Sequence, residues 1–188
     1  MVHREGILVS RDGWTNTAAM GADIDDDLIR FRIFRPSDTA ENLKKNKQFT
    51  FSLTDDPIIF YKAALTGYNS PQPELREEEL IHRDIFYYPK KATRVFFCEV
   101  SSTREVSTRD DYGTADILEV KAVVLDTQGD GPYIDRDDPL VDAMVHATRY
   151  AIATGERKKE LEERIEGLLD DLESPIARRI KEWMEAHS

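Results

Sequence analysis

One cysteine, Cys98, stands in 188 residues. A lone cysteine excludes an internal disulfide framework. Positive charge is scarce as well. Against 37 aspartates and glutamates there are 26 lysines and arginines, a formal net charge of −11. Such a balance argues against nucleic acid and anionic membrane as main partners, because both are gripped through a basic footprint. No apolar run approaches the ~20 residues of a membrane helix. The apolar stretch in the N-terminal MVHREGILVS is too short for a signal peptide, and the simplest compartment is the cytoplasm. His3, His82 and His187 are scattered without metal-ligand spacing. The acidic runs at 25–27 and 135–138 lack the ligand ladder of a calcium loop and read as solvated turns. Neither a Ser-His-Asp set nor a Gly-rich phosphate loop is visible.

What is present suffices for one domain with an appendage: residues 1–130 as a strand-rich unit and 131–188 as a helical one. Hydrophobic residues make up 40%, enough for a core at this length. Strands are expected at 5–10, 14–22 and 28–34, joined by Asp12-Gly13 and by the acidic turn, which makes a β-meander. A short helix is expected over 38–46, where Asp38 and Glu41 have capping-box spacing. A strand follows at 49–54, then a helix opened by Asp56-Pro57 and closed by Gly67. Residues 67–92 read as mostly loop, with one helical turn near 77–81. Strands at 95–100 and 117–126 flank a polar excursion. Helices are expected over 139–155 and 156–172 and from Ser174-Pro175 onward. Cys98 reads as a buried small hydrophobe. The fold class is α+β, an antiparallel barrel with a C-terminal helical cap, since closing the sheet removes its edges.

The stretch FRIFRPSDTAENLKKN concentrates positive charge and hydroxyls at one helix start. Alternation puts Ile29, Phe31, Ile33 and Arg35 on one face. A helix N-terminus offers unpaired N–H groups and a partial positive charge. With Arg35, Ser37 and Thr39 it makes a phosphate cradle, although Asp38 and Glu41 can satisfy the same N–H groups by self-capping. Thr17, Ala18, Ala19 and Gly21 carry little side chain, so a flat ring fits against that strand, and Asn16 offers a donor and an acceptor to a heterocycle edge. Tight packing under a bulky neighbour would equally explain such a strand. Taken together the two segments suggest a nucleotide-like ligand.

Asn16-Thr17-Ala18-Ala19-Met20-Gly21 resembles the N-x-A-P-x-G strand of flavin reductase-like FMN-binding split-barrel proteins. Asp38-Thr39-Ala40-Glu41-Asn42-Leu43 resembles their D-T-x-x-N-I helix start. The ordered set EGILVS, FRIFRPSDTAENL, FSLTDDPIIFYKAAL and VHATR is similar to the domain of unknown function 447. The resemblance implies a homodimeric split barrel with FMN near the subunit interface. It further implies that Arg35, Ser37 and Thr39 hold the phosphate and that Asn42 supports that turn. Asn16 with the Thr17 and Ala18 backbone would face the ring. Ala19 stands where the broader pattern often has Pro, and Ser37 where it often has Lys.

The segment LVDAMVHATRYAIAT has helical spacing. Leu140, Val141, Met144, Val145, Thr148 and Ile152 are expected to be buried, with Asp142, His146, Arg149 and Tyr150 opposite. That opposite face is either solvated or a polar wall of the flavin site, with Arg149 balancing charge and His146 as the candidate catalytic donor. The functional expectation is an FMN-dependent oxidoreductase with a nicotinamide or deazaflavin donor. The alternatives are a non-catalytic module that binds or stores FMN or another flat anion, and a structural dimer that has lost its ligand.

Overall fold

The computed structural model describes residues 1–65, 75–110 and 113–188. Three strands open the chain: β1 (Val2–Asp12), β2 (Trp14–Asp25) and β3 (Leu28–Phe34). Their turns use residues that tolerate left-handed backbone, Gly13 at φ 77° and Asp26 at φ 50°. Helix α1 (Asp38–Lys45) leads to β4 (Gln48–Leu53) and α2 (Pro57–Ala64). A one-turn 3-10 helix (Glu77–Glu79) precedes a small separate hairpin, β5 (Leu80–Arg83) with β6 (Phe86–Pro89). A long hairpin follows, β7 (Arg94–Asp110) and β8 (Gly113–Gln128). Helices α3 (Pro139–Tyr150), α4 (Gly155–Leu169) and α5 (Pro175–Glu185) complete the chain. The six long strands close a barrel in the order β1-β2-β3-β8-β7-β4, with β4 pairing back on β1 and every pair antiparallel.

Period-2 alternation decides what faces inward. Ile29, Phe31 and Ile33 enter the barrel with Leu8, Phe51, Leu118 and Val120. There Phe31 meets Phe49 and Phe51 edge-on, at 5.6 and 5.3 Å between ring centroids. A second core lies outside the barrel wall: Ile7 and Val9 of β1 pack against α2, α3, α4 and α5, including Phe60, Met144, Ile165 and Trp183. Trp183 Nε1 donates to the Leu65 carbonyl at 3.1 Å, which satisfies its one polar group inside that core. Strand β1 therefore serves both cores. The Asp-Pro and Ser-Pro helix starts hold as expected. Asp56, Asp138 and Ser174 accept from the N–H of Ile58, Leu140 and Ile176.

Several expectations are corrected. The polar excursion between the last two barrel strands is itself strand, because β7 and β8 pair from Val95↔Gln128 out to Asp110↔Gly113. Residues 101–105 of β7 are exposed, so no apolar alternation marks them. Within the 67–92 loop the 3-10 turn appears as expected, and a hairpin that was not expected follows it. The Gly67 helix stop and Pro71 and Pro73 lie outside the described residues. Ser37 caps α1 by accepting from the Ala40 N–H at 3.2 Å, the role expected of Asp38. Helix α3 ends at Tyr150, short of residue 155. Its faces also differ from the expected ones. His146 and Tyr150 are buried, whereas Ile152, beyond the helix end, is 67% exposed. The helix packs against α2, α4 and α5, so more than one of its sides is buried. The acidic run at 135–138 is more than a solvated turn. Asp135 accepts from the N–H groups of Glu5 and Arg136 and from Arg4 Nη1, at 3.1, 2.9 and 3.0 Å.

Candidate functional site

The barrel has a seam. Strands β2 and β3 pair only from Ala22↔Phe31 to Asp25↔Leu28. Residues 14–21 of β2 pair with β1 alone, so one backbone edge of the small-residue strand is left open. Asn16 bridges the gap, its Nδ2 donating to Thr39 Oγ1 at 2.8 Å. Behind it Asn42 Nδ2 donates to Ser10 Oγ at 3.2 Å. Thr39, Asn42 and Ser10 are all buried, so these two bonds lock the first turn of α1 onto the meander.

Two cavities meet along this seam, of about 520 and about 470 Å³. Ala18, Ala19, Ser37 and Thr39 line both. Asn16 and Thr17 line the smaller one, and Arg149 the larger. Helices α2 and α3 roof the cleft through Ala64 and Thr148. Ser37 and Thr39 each use the hydroxyl oxygen as an acceptor within the protein, which leaves both O–H groups able to donate. Among the described residues no protein acceptor takes the N–H of Asp38 or Thr39. The capping task falls to Ser37, so the carboxylates of Asp38 and Glu41 do not occupy those donors. A small-residue wall, a backbone edge and a hydroxyl-lined helix start are thus brought together.

Two candidates stand elsewhere. Arg35 lies past the end of β3, where strand alternation no longer directs it. Its guanidinium points to the β7–β8 hairpin, with Nε 3.5 Å from Glu105 and Nη1 3.8 Å from Asp116, outside the walls of both cavities. His146 leaves the α3 face that carries Arg149 and turns toward α4, lining a separate cavity of about 210 Å³ with Arg157 and Arg164. Its Nε2 is 3.3 Å from Asp142 Oδ1 but poorly aligned, so neither ring nitrogen makes a hydrogen bond. Burial drives the His146 pKa down to about 4. The Asp142 carboxylate opposes that shift, and Arg164, Arg136 and Arg149 reinforce it. At neutral pH the ring is uncharged. Partial burial works against the Asp142 carboxylate, but Arg136 and its cationic neighbours outweigh that and hold its carboxyl below the usual range.

Other cleft residues were not singled out from the sequence. On β3, Arg30, Arg32 and Phe34 face outward into the larger cavity. The alternation with Ile29, Phe31 and Ile33 already carried that signal. His3 and Glu5 of β1 form its far wall with Arg136. His3 Nδ1 is 2.9 Å from Asp23 Oδ1, and its Nε2 is 3.5 Å from Glu5 Oε1. Burial works against the charged ring, yet the two carboxylates prevail and its pKa is raised. A Cβ on Gly21 would sit 2.7 Å from the His3 ring, so a larger residue there would displace that side chain. Cys98 is inert, its thiol pushed up to about 12 by burial. Among the described residues no cluster of histidine, cysteine and carboxylate side chains could hold a metal. No described helix is long and apolar enough to cross a membrane.

A closed six-stranded antiparallel barrel with an opened seam and helices over one side defines the FMN-binding split-barrel fold of flavin reductase-like proteins. Residues 4–128 match the family described as protein of unknown function (DUF447), N-terminal domain, and the chain belongs to that family. An FMN-bound protein of Methanosarcina mazei, also assigned to DUF447, is similar in structure at a TM-score of 0.73 and 23% identity, over 98% of this chain and 94% of that one. Flavoredoxin from Methanosarcina acetivorans is similar at 0.53 and 15% identity, over 71% and 72% of the two chains. An FMN-binding protein from Thermus thermophilus with bound p-hydroxybenzaldehyde gives 0.52 and 12%, over 69% and 73%.

Proposed function

We propose that this chain is an FMN-binding flavoprotein and an oxidoreductase of the flavin reductase-like class. The observation that carries the reading is the Asn16–Thr39 bond across the seam, because it joins the small-residue strand to the hydroxyl-lined start of α1 on one cleft. FMN-bound and FMN-binding proteins of the same fold support it.

In this reading Ser37, Thr39 and the first-turn N–H groups of α1 receive the phosphate. Asn16 and the open backbone edge at Thr17 and Ala18 meet the ring, and Asn42 supports the turn from behind. Arg149 adds positive charge from α3. Arg35 acts at one remove, by tying the end of β3 to the hairpin. His146 lies away from the cleft and belongs to the helical packing. Bound FMN would supply hydride or electron transfer, and the protein supplies position, electrostatics and a partly roofed cleft. A homodimer whose second copy completes the open side, and a nicotinamide or deazaflavin donor, belong to the same proposal.

The test is the visible spectrum of freshly purified protein. Flavin absorbance, with FMN released on denaturation, supports the proposal. Colourless protein that takes up no added FMN ends it. A non-catalytic FMN-binding module is the second reading, favoured by the lining of the small-residue end, where Asp38 is the one titratable residue among the described residues. Flavin reduction by NADH, NADPH or a reduced deazaflavin in stopped flow supports the enzyme. Failure with all three supports the module.

A further inference from the structure

The far end of the cleft holds a pair of cations that the flavin reading does not use. Arg30 and Arg32 are successive outward residues of β3, about 7 Å apart along the strand, and both line the larger cavity. In a chain of net charge −11 they are poorly neutralised. Among the described residues no carboxylate oxygen lies within 4.0 Å of Arg30, whose Nη1 rests on Met1 Sδ at 2.9 Å. Asp23, its partner across the strand pair, is engaged by His3 at 2.9 Å. Arg32 Nε reaches Glu119 only at 4.0 Å, and the other oxygen of Glu119 already accepts two N–H groups from Arg104, at 3.1 and 2.8 Å. Arg136, in the same cavity, is committed to Glu5 and Asp142. Two under-neutralised guanidinium groups on a partly enclosed wall focus a positive field on one spot, and guanidinium geometry suits oxyanions.

We infer that the Arg30–Arg32 end of the cleft binds a second small molecule carrying two adjoining oxyanion groups, a pyrophosphate linkage or a dicarboxylate, beside the flavin. The inference rests on the FMN reading for its neighbour and names the substrate class of the same cleft. The small-residue end takes the flavin, and the arginine end takes the anionic part of whatever exchanges electrons with it.

The experiment titrates FMN-loaded protein at low ionic strength with sodium pyrophosphate and, separately, with sodium succinate, read by calorimetry and by the flavin difference spectrum. Saturable binding of one of them is expected, weakened about tenfold or more in Arg30→Gln/Arg32→Gln, with FMN affinity unchanged and with Lys159→Gln, at an exposed cation of α4 outside the cavity, behaving as the parent. Which of the two binds distinguishes a phosphorylated from a dicarboxylate ligand. Binding of neither, equal binding by the double variant, or loss of FMN from the double variant overturns the inference. The last result would assign these arginines to the flavin's own phosphate. If the parent takes up no FMN, the titration is repeated on flavin-free protein. Arginine-dependent pyrophosphate or succinate binding there keeps the anion site while the flavin reading falls, and its absence ends both.

Discussion

The two halves of β2 differ in one respect that organises the molecule. From Ala22 to Asp25 the strand is paired on both edges, and from residue 14 to 21 on one. The closed half sits over Ile29, Phe31 and the rest of the barrel interior. The open half sits over two cavities, and the side chains of residues 17–19 are too small to fill them. Continuous pairing leaves no room for a ligand, whereas a sheet that parts exposes backbone donors and acceptors of fixed geometry. Binding capacity here follows from where hydrogen bonding between strands stops.

The largest contrast comes from mutating each half in turn. Phe31→Ala in the closed half removes a ring that is 2% exposed and in contact with two other rings. It is expected to lower unfolding stability by about 3–5 kcal/mol, measured by urea denaturation. Thr39→Val at the open half keeps the shape and removes the hydroxyl. We expect a loss of about 1.5–3 kcal/mol in FMN affinity, roughly 10- to 100-fold, by fluorescence titration, with a stability change of only about 1 kcal/mol. A Thr39→Val protein that binds FMN as the parent does would remove the distinction between the halves.

His146 sharpens the comparison from outside the seam. Its folded pKa of about 4 lies below the ordinary 6.5. As pH falls through 6.5 the unfolded chain takes up a proton that the folded chain refuses. The stability associated with the neutral ring is complete above 6.5 and is lost between 6.5 and 4, with a slope of up to about 1.4 kcal/mol per pH unit. His146→Gln is expected to flatten that part of the denaturation profile and leave flavin reduction unchanged. A slowed reduction would return the residue to the site. The smallest effect is expected from Arg104→Gln on the exposed hairpin, where loss of the Glu119 pair should not be measurable in thermal unfolding.

The meander, α1 and the proline-marked helix starts were legible because each rests on local chemistry: Asp-Gly at a turn, alternation across Ile29, Phe31 and Ile33, an Asp or Ser before Pro. The cleft was half legible. Asn16, Thr17, Ala18, Ser37, Thr39 and Arg149 do line it. Arg35 was extrapolated from an alternation that ends with the strand at Phe34. Arg30 and Arg32, which alternate with Ile29, Phe31 and Ile33 on that same strand, are the arginines facing the cavity. The distal parts of β7 and β8 carried no periodic signal, since exposed strand needs no apolar face. His146 was assigned to the wrong side because a single-faced pattern was assumed for a helix packed on two sides. His3, Glu5 and Arg136 come together only through the fold, from positions more than 130 residues apart in the case of Glu5 and Arg136.

Asp135 pins the segment that leads from the barrel into its last three helices. A single carboxyl group holds the main chain at Glu5, the main chain at Arg136 and the guanidinium of Arg4. It thereby fixes where the connecting segment leaves the first strand. Arg136, on the cavity wall, therefore has its backbone anchored by a carboxyl group that itself lines neither cavity.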